Sequence, residues 1–256
     1  WYGQRGIPVE LNEPHHWGMR DAPDVVYVVS AYLSAYNAKA FGVRDYIAQL
    51  MFNSPPFVSD GMDLAKMLAI LEMLAPLESP DFRIWRQTRT GLLSYPLEDN
   101  AARAHLATSI YLQMALRPHI VHVVGHTEAD HAATAGDVIA ASLAARRSIE
   151  NALAGQPDMT VDPKIQARKK HLIDQVQITL QAIRNLAGKS VGDSLTSPAI
   201  LAKAVKLGIL DAPQLKNNPF APGAIRTRVV DGACEAVDEN GNTISEQERL
   251  QGFFKE

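Results

Sequence analysis

The chain has 256 residues, of which 46% are hydrophobic and 21% charged, a composition typical of an ordinary globular protein. Its formal net charge of −3 gives no electrostatic reason to expect nucleic acid or an anionic membrane surface as a partner. Cys234 is the only cysteine, so these residues can form neither an internal disulfide nor a cysteine-based zinc cluster, and we expect a cytoplasmic protein. No apolar run is long enough to predict a membrane-spanning helix.

Four short apolar segments predict buried strands, and a longer stretch with helical periodicity follows each of them. Asp21 or Asp24 is the expected cap of the first helix, Asp99 and Asn100 cap the third, and Thr134 caps the fourth. The strands are predicted at 7–12, 46–53, 82–87 and 119–124, and the helices at 21–41, 61–77, 99–118 and 134–155.

The pattern changes after Gly155. A long polar helix is predicted at 163–187, on the outside of the molecule, and a shorter one at 197–213. The tail predicts a small hairpin whose tight turn is Asn240 and Gly241.

Strands that alternate with single helices predict an α/β fold with parallel pairing and right-handed crossovers. A doubly wound open sheet would need only these strands, whereas a (β/α)₈ barrel would need twice as many. The nearly even spacing of the units, and the opening "WYGQRGIPVELNEP" that enters a strand almost at once, favour the second half of a barrel whose first half is missing. We therefore expect barrel units over 1–160 and an extension of helices and a hairpin over 161–256.

A polar or strained stretch follows each predicted strand, at 12–17, 53–57, 86–91 and 125–131. In parallel α/β folds the carboxyl ends of the strands meet at one edge, where ligands bind. Arg86 and Arg89 could there hold a carboxylate or phosphate in two-point contact, or they could be surface arginines paired with acids. Trp17 is either a flat wall of the site or a packing residue.

The segment "HIVHVVGHTEADHAAT", residues 119–134, concentrates histidines and carboxylates after the fourth strand. One hypothesis is a metal-dependent hydrolase or lyase, although the spacing matches no compact metal-binding motif. His119 and His122 lie within the strand and are interpreted as structural. The metal hypothesis would use His15, His16, His126, His131 and Glu128.

Taken in chain order, these elements resemble the catalytic component (epsilon subunit) of glutamate mutase, also called methylaspartate mutase. The resemblance runs from the "GI.V...EP" strand, which retains Glu13 and Pro14, to the C-terminal stretch "AKAVKLGILDAPQLKNNPFAPGAIRTRVVDGA". It spans roughly Gly6 to Asp238 and corresponds to the second half of that component. It implies a (β/α)₈ barrel and an adenosylcobalamin-dependent isomerase that rearranges the carbon skeleton of a small amino or carboxylic acid.

The resemblance also implies roles for individual residues. Glu128, in "GHTEA", falls where the family holds the ribose of the adenosyl group. The family's nearby lysine is not retained, and His126 is the candidate substitute, while His15 replaces an aromatic residue after Glu13-Pro14. The run "RQTRTG" stands in place of an "HQWMGG"-like run, so that Arg86, Gln87 and Arg89 line the cofactor or substrate side.

The family's substrate-gripping arginines and catalytic carboxylate belong to the first half of the barrel, so no catalytic residue is assigned here. No histidine lies in an Asp-x-His-x-x-Gly motif, so the lower axial ligand should come from a small cobalamin-binding partner subunit. A half barrel would expose two strand edges, and we expect poor solubility or a homodimer. A further hypothesis is a non-catalytic remnant or regulatory partner that keeps the barrel surface but has lost the chemistry.

Overall fold

A computed structural model describes residues 1–187 and 192–254 and shows an α/β protein built on a four-stranded parallel sheet. The strands lie in the sequential order β1-β2-β3-β4, so the sheet contains no reversal of direction such as the doubly wound folds have. Right-handed crossovers in such a sheet place the connecting helices on one face. The strands are β1, Val9–Glu10; β2, Asp45–Phe52; β3, Arg83–Thr90; and β4, Ile120–His122.

All four predicted strands are confirmed, but their bounds differ. β1 is only two residues long because a helix absent from the sequence prediction, α1 (Glu13–Gly18), begins almost at once with Pro14 in its first turn. β3 extends to Thr90, so the prediction of a loop from residue 86 was wrong: those residues stay in register with β2 as far as Phe52. Backbone pairing, which a sequence pattern does not display, sets this boundary.

The predicted long helices are confirmed, with corrections at their caps. Thr134 and Asp137 form a reciprocal capping box at the start of the fourth helix. Glu98, rather than Asp99 or Asn100, caps the third, and Pro23 occupies the cap of the first. The helices are α2, Asp24–Ala40; α3, Asp60–Leu74; α4, Asp99–Gln113; α5, Ala135–Leu153; α6, Pro163–Asn185; α7, Pro198–Lys206; and α8, Glu246–Arg249.

The main hydrophobic core lies between the sheet and helices α2 and α3, and it continues between these two helices and α6. One face of α6, which includes Leu172 and Val176, is buried in this core, and its other face is exposed as expected of a polar outer helix. A second, smaller cluster joins α4 to α5 around Leu106. None of the described helices combines the length and hydropathy needed to cross a lipid bilayer.

The C-terminal hairpin is confirmed, but its turn was misassigned. Strands β5 (Thr227–Val230) and β6 (Ala233–Ala236) pair antiparallel, and Asp231 and Gly232 connect them with φ values of 49° and 83°. Asn240 and Gly241 turn the chain further along, between the bridged residues Val237 and Thr243. Both dipeptides are good turn formers, so composition alone could not rank them.

Candidate functional site

The face of the sheet away from the helix core carries a row of polar side chains. Alternate residues of a strand point to opposite faces, and paired residues of parallel strands share a face. Leu50 and Phe52 point into the core, which leaves Gln49 for the other face, beside Gln87 of β3. Arg89 follows on the same face of β3, and His122 of β4 is its neighbour in register.

Helix α1 adds His15 at the edge of this row. Because β1 ends early, α1 packs against the neighbouring β2, and the His15 ring lies beside the Gln49 backbone. We call His15, Gln49, Gln87, Arg89 and His122 the open-face cluster. It combines residues from α1 and from strands β2, β3 and β4 at the carboxyl half of the sheet, where parallel α/β folds bind ligands.

Several atoms of the open-face cluster are buried without a hydrogen-bond partner in the described part of the chain. They include both amide atoms of Gln49, the amide nitrogen of Gln87, Nε of Arg89 and Nε2 of His15. Gln49 and Gln87 are only 3% and 5% exposed. Nearly all buried polar groups in native proteins are hydrogen-bonded to protein or water, so these atoms are open to hydrogen bonds from water or from a bound molecule.

The two histidines of the cluster are neutral at pH 7. Burial, and after it the charge of the Arg89 guanidinium, lower the pKa of His15 to about 3. Burial and Arg89 also lower the pKa of His122. Arg89 therefore supplies the positive charge of the open-face cluster.

Arg86 is separated from this cluster although it lies on the same strand. It pairs with Ala48, and its Nε and Nη2 atoms donate to the Arg117 carbonyl oxygen at 3.1 and 2.9 Å. Its backbone N–H donates to Nδ1 of His119 at 3.0 Å, so these contacts tie β3 to the segment before β4. Of the run 86–89, only Gln87 and Arg89 thus face the site.

The loop after β4 places Glu128 close to the cluster. Its Oε1 accepts the backbone N–H of Gly125 at 2.5 Å, while its other carboxylate oxygen makes no hydrogen bond within the described residues. His122 lies within electrostatic range of both Arg89 and Glu128. Glu128 is exposed, so its carboxylate is available to a ligand at this edge of the sheet.

The other histidines of the sequence prediction lie outside the open-face cluster. His126 is buried near the start of α4, where its Nε2 is 3.5 Å from Asp99, whereas His16 is exposed on α1. His131 pairs with the adjacent Asp130 at 2.9 Å. Across residues 1–187 and 192–254, no three His, Cys, Asp or Glu side chains are grouped so that they could hold a metal ion.

A buried network fixes the ends of β2 and β3 beside the site. Ser109 of α4 donates to the Asn53 side chain at 2.6 Å and accepts from Thr90 at 2.9 Å. Gln113 donates to Thr90 at 3.0 Å. Gly91 lies so close to the Asn53 carbonyl that an added Cβ would come within 2.8 Å of it, so only glycine fits here. These contacts hold the strand ends, and with them Arg89, in one position.

The stiff loop after β2 lines a different site. Pro55, Pro56 and Phe57 form one wall of a cavity of about 670 Å³, and β5 forms the opposite wall. None of the open-face cluster lines this cavity. We place the candidate functional site on the open face because five buried polar atoms without partners among the described residues lie on neighbouring residues there, at the carboxyl half of the sheet.

Sequence reasoning identified three members of the cluster as binding residues, namely His15, Gln87 and Arg89. It missed Gln49, which lies inside the apolar run "YIAQLMFN". The available signal was a lone amide in a predicted buried strand, where a polar side chain needs a partner.

No model of a known protein family matches this chain, and no curated protein matches it in sequence. What the chain does therefore has to follow from its fold and from the side chains on the open face of its sheet.

Proposed function

We propose that this chain is the second half of a (β/α)₈ barrel in an adenosylcobalamin-dependent carbon-skeleton mutase of the glutamate mutase type. Sequential strand order with all crossovers on one face is the arrangement of a barrel segment, and four strands make half of an eight-stranded barrel. The opposite face of such a segment lines the barrel interior. The carboxyl ends of its strands form the mouth, where barrel enzymes carry their active sites.

The observation that carries the proposal is the open-face cluster with its buried, unpartnered polar atoms. A large cofactor that bears ribose hydroxyls and amide groups, together with a bound substrate, would supply the missing donors and acceptors. Glu128 fits the role of ribose acceptor, because one of its oxygens is held by Gly125 and the other is unengaged. The donor and acceptor set is therefore compatible with adenosylcobalamin.

When bound, the cofactor supplies the radical chemistry, and the protein binds, orients and shields the reactants. Glu128 would hold the ribose by accepting hydrogen bonds from its hydroxyl groups. Gln49 and Gln87 would direct amide hydrogen bonds toward the ligand from the interior face. Because His15 and His122 are neutral at pH 7, they can accept hydrogen bonds without adding positive charge.

The remaining parts of the enzyme would come from other polypeptide segments. The first half of the barrel would supply the catalytic residues and further substrate-gripping residues, and a small cobalamin-binding subunit would supply the lower axial ligand. The barrel subunit would form a homodimer, and the substrate would be a small amino or carboxylic acid. The activity would be that of a cytoplasmic isomerase, specifically an intramolecular transferase.

The test is a Glu128→Gln variant of the protein with its cobalamin-binding partner. We expect adenosylcobalamin binding, measured by equilibrium dialysis, to weaken by about tenfold or more, since a ribose acceptor is lost. Turnover should fall with it, while the circular dichroism spectrum stays unchanged. His131→Gln, an exposed change in the same loop, is the matched control and should bind the cofactor normally.

Unchanged binding and turnover in Glu128→Gln would refute the assigned role.

Metal analysis of the purified protein tests the hydrolase or lyase alternative. A stoichiometric bound metal ion, lost in a His126→Ala variant, would favour that alternative over the mutase. A non-catalytic remnant would show neither cobalamin binding nor a bound metal ion.

A further inference from the structure

We infer that the open-face cluster binds a carboxylate group and that Arg89 is its anchor. This inference deepens the proposed function, because it assigns a substrate class to the same face of the sheet, and it rests on that face being the ligand-binding site. The sequence left two roles open for Arg89, an anion-binding residue and a surface arginine paired with an acid.

The structure removes the second role. Arg89 makes no ion pair or hydrogen bond with any side chain in the described ranges, and its buried Nε lacks a partner. Other arginines of the chain are engaged: Arg168 lies 2.9 Å from Asp24, and Arg249 lies 2.6 Å from Glu246. The guanidinium of Arg89 is half-buried, and an anion from outside would give its buried Nε–H a charged hydrogen-bond partner.

The neighbours of Arg89 favour a carboxylate over a phosphate. His15 and His122 carry no charge at neutral pH, so the cluster offers the single positive charge of one guanidinium. Glu128 nearby would oppose a dianion more than a monoanion. The planar guanidinium fork matches the two oxygens of a carboxylate, and the adjacent Gln49 and Gln87 amides can donate further hydrogen bonds.

Position along the strand adds to this argument. Arg89 lies one residue before the end of β3, in register with Met51 of β2 and His122 of β4. A ligand at the carboxyl edge of the sheet would contact the guanidinium of Arg89 first. The amides of Gln49 and Gln87 lie two residues further from that edge. The carboxylate would therefore bind at the rim, with the rest of its molecule over the Gln49 and Gln87 pair.

The experiment follows the side-chain Nε–H resonance of Arg89 in ¹⁵N-labelled full-chain protein, assigned by its absence in Arg89→Lys. The probes are butyrate, its neutral isostere butyramide, and inorganic phosphate. We expect butyrate to shift the resonance in a saturable manner and butyramide to leave it in place. Phosphate should bind at least about tenfold more weakly than butyrate, because the cluster has one positive charge.

Variants of Arg89 and Arg83 distinguish a specific role of the Arg89 guanidinium from a general effect of charge on butyrate binding. Butyrate binding, followed by calorimetry, should weaken by about tenfold or more in Arg89→Gln and by less in Arg89→Lys, which keeps the charge without the fork. Arg83→Gln is the matched control: Arg83 lies on the same face of the same strand but is paired with Asp45 at 3.0 Å. It should bind butyrate like the wild type.

Three results would overturn the inference: no shift with butyrate, equal shifts with butyramide, or phosphate binding as tight as butyrate. Equal loss of binding in Arg83→Gln and Arg89→Gln would also overturn it. The proposed mutase function can fail separately. Butyrate binding at Arg89 without any response to adenosylcobalamin would refute the mutase and leave the carboxylate site standing.

Discussion

His15 shows how a single residue couples the site to the stability of the fold. Its ring is 2% exposed and lies against Arg89 and the Gln49 backbone, and these surroundings hold it neutral. The unfolded chain would protonate the same ring near pH 6.5, whereas the folded protein resists protonation down to about pH 3. The unfolded state therefore binds more protons in this window, and stability must fall as the pH falls through it.

We predict that replacing His15 with glutamine removes this part of the pH dependence. The contribution of His15 is fully present above pH 6.5 and is lost at up to about 1.4 kcal/mol per pH unit below it. Urea unfolding of both proteins at pH 7, 6, 5 and 4 measures the effect. The free energy of unfolding of the wild type should decline more steeply than that of the variant, and parallel curves would contradict the burial of His15.

The predictability of the site depended on which residues lie in a strand. Arg86 and Arg89 looked equivalent in "RQTRTG", because both were assigned to a loop. In an extended strand residues three apart point to opposite faces, so the two guanidinium groups have different partners. The sequence shows the residue types of the site. It does not show where β3 ends, because pairing with β2 sets that end, and the end of the strand decides which of these residues share a face.

At the scale of elements, a buried ion cluster joins helices α2, α3 and α6. Lys66 lies 3.2 Å from Asp24 and 2.8 Å from Asp63, and it donates to the Ser54 carbonyl at 2.6 Å. Arg168 approaches the other oxygen of Asp24. Burial alone would lower the pKa of Lys66, but the carboxylates of Asp24 and Asp63 outweigh it and raise the pKa, so Lys66 stays charged.

We predict that Lys66→Met destabilises the protein by about 3–5 kcal/mol, since it leaves the buried Asp63 carboxylate without a counter-charge. The control is Lys169→Met, which removes a more exposed pair with Glu72 and should cost at most about 1 kcal/mol. The measurement is the midpoint and slope of urea unfolding. Equal effects of the two substitutions would show that the buried cluster contributes no more than a surface pair.

The long helices were predictable from the sequence, but the roles of the residues at their ends were not. Helical periodicity placed α2 to α6 because each buries a continuous stripe of side chains, which the sequence displays. Asp24 resembled a helix cap, but it is a buried partner of Lys66 and Arg168. A side chain 144 residues distant in sequence decides that role, and no local pattern encodes it.

At the scale of the whole molecule, the outer edges of the sheet meet no further strand within the described residues. β1 and β4 are the edge strands, and free edges readily pair with other strands. Beside β4, helix α5 exposes three large apolar side chains: Val138, Ile139 and Leu143 are each at least 54% exposed. Contiguous apolar surface of this kind marks an interaction site, which agrees with a sheet that continues into another part of a barrel.

We predict that the chain self-associates and that Leu143→Glu weakens the association. A charge in the centre of the apolar face of α5 must be desolvated when the face is covered, so the association constant should fall by about tenfold or more. Sedimentation velocity over a range of concentrations measures it. Leu207→Glu, which adds a charge at a similarly exposed leucine just beyond α7, should leave association unchanged. A wild-type chain that stays monomeric at high concentration would mean that the open edges are tolerated in water and would remove the homodimer from the proposed enzyme.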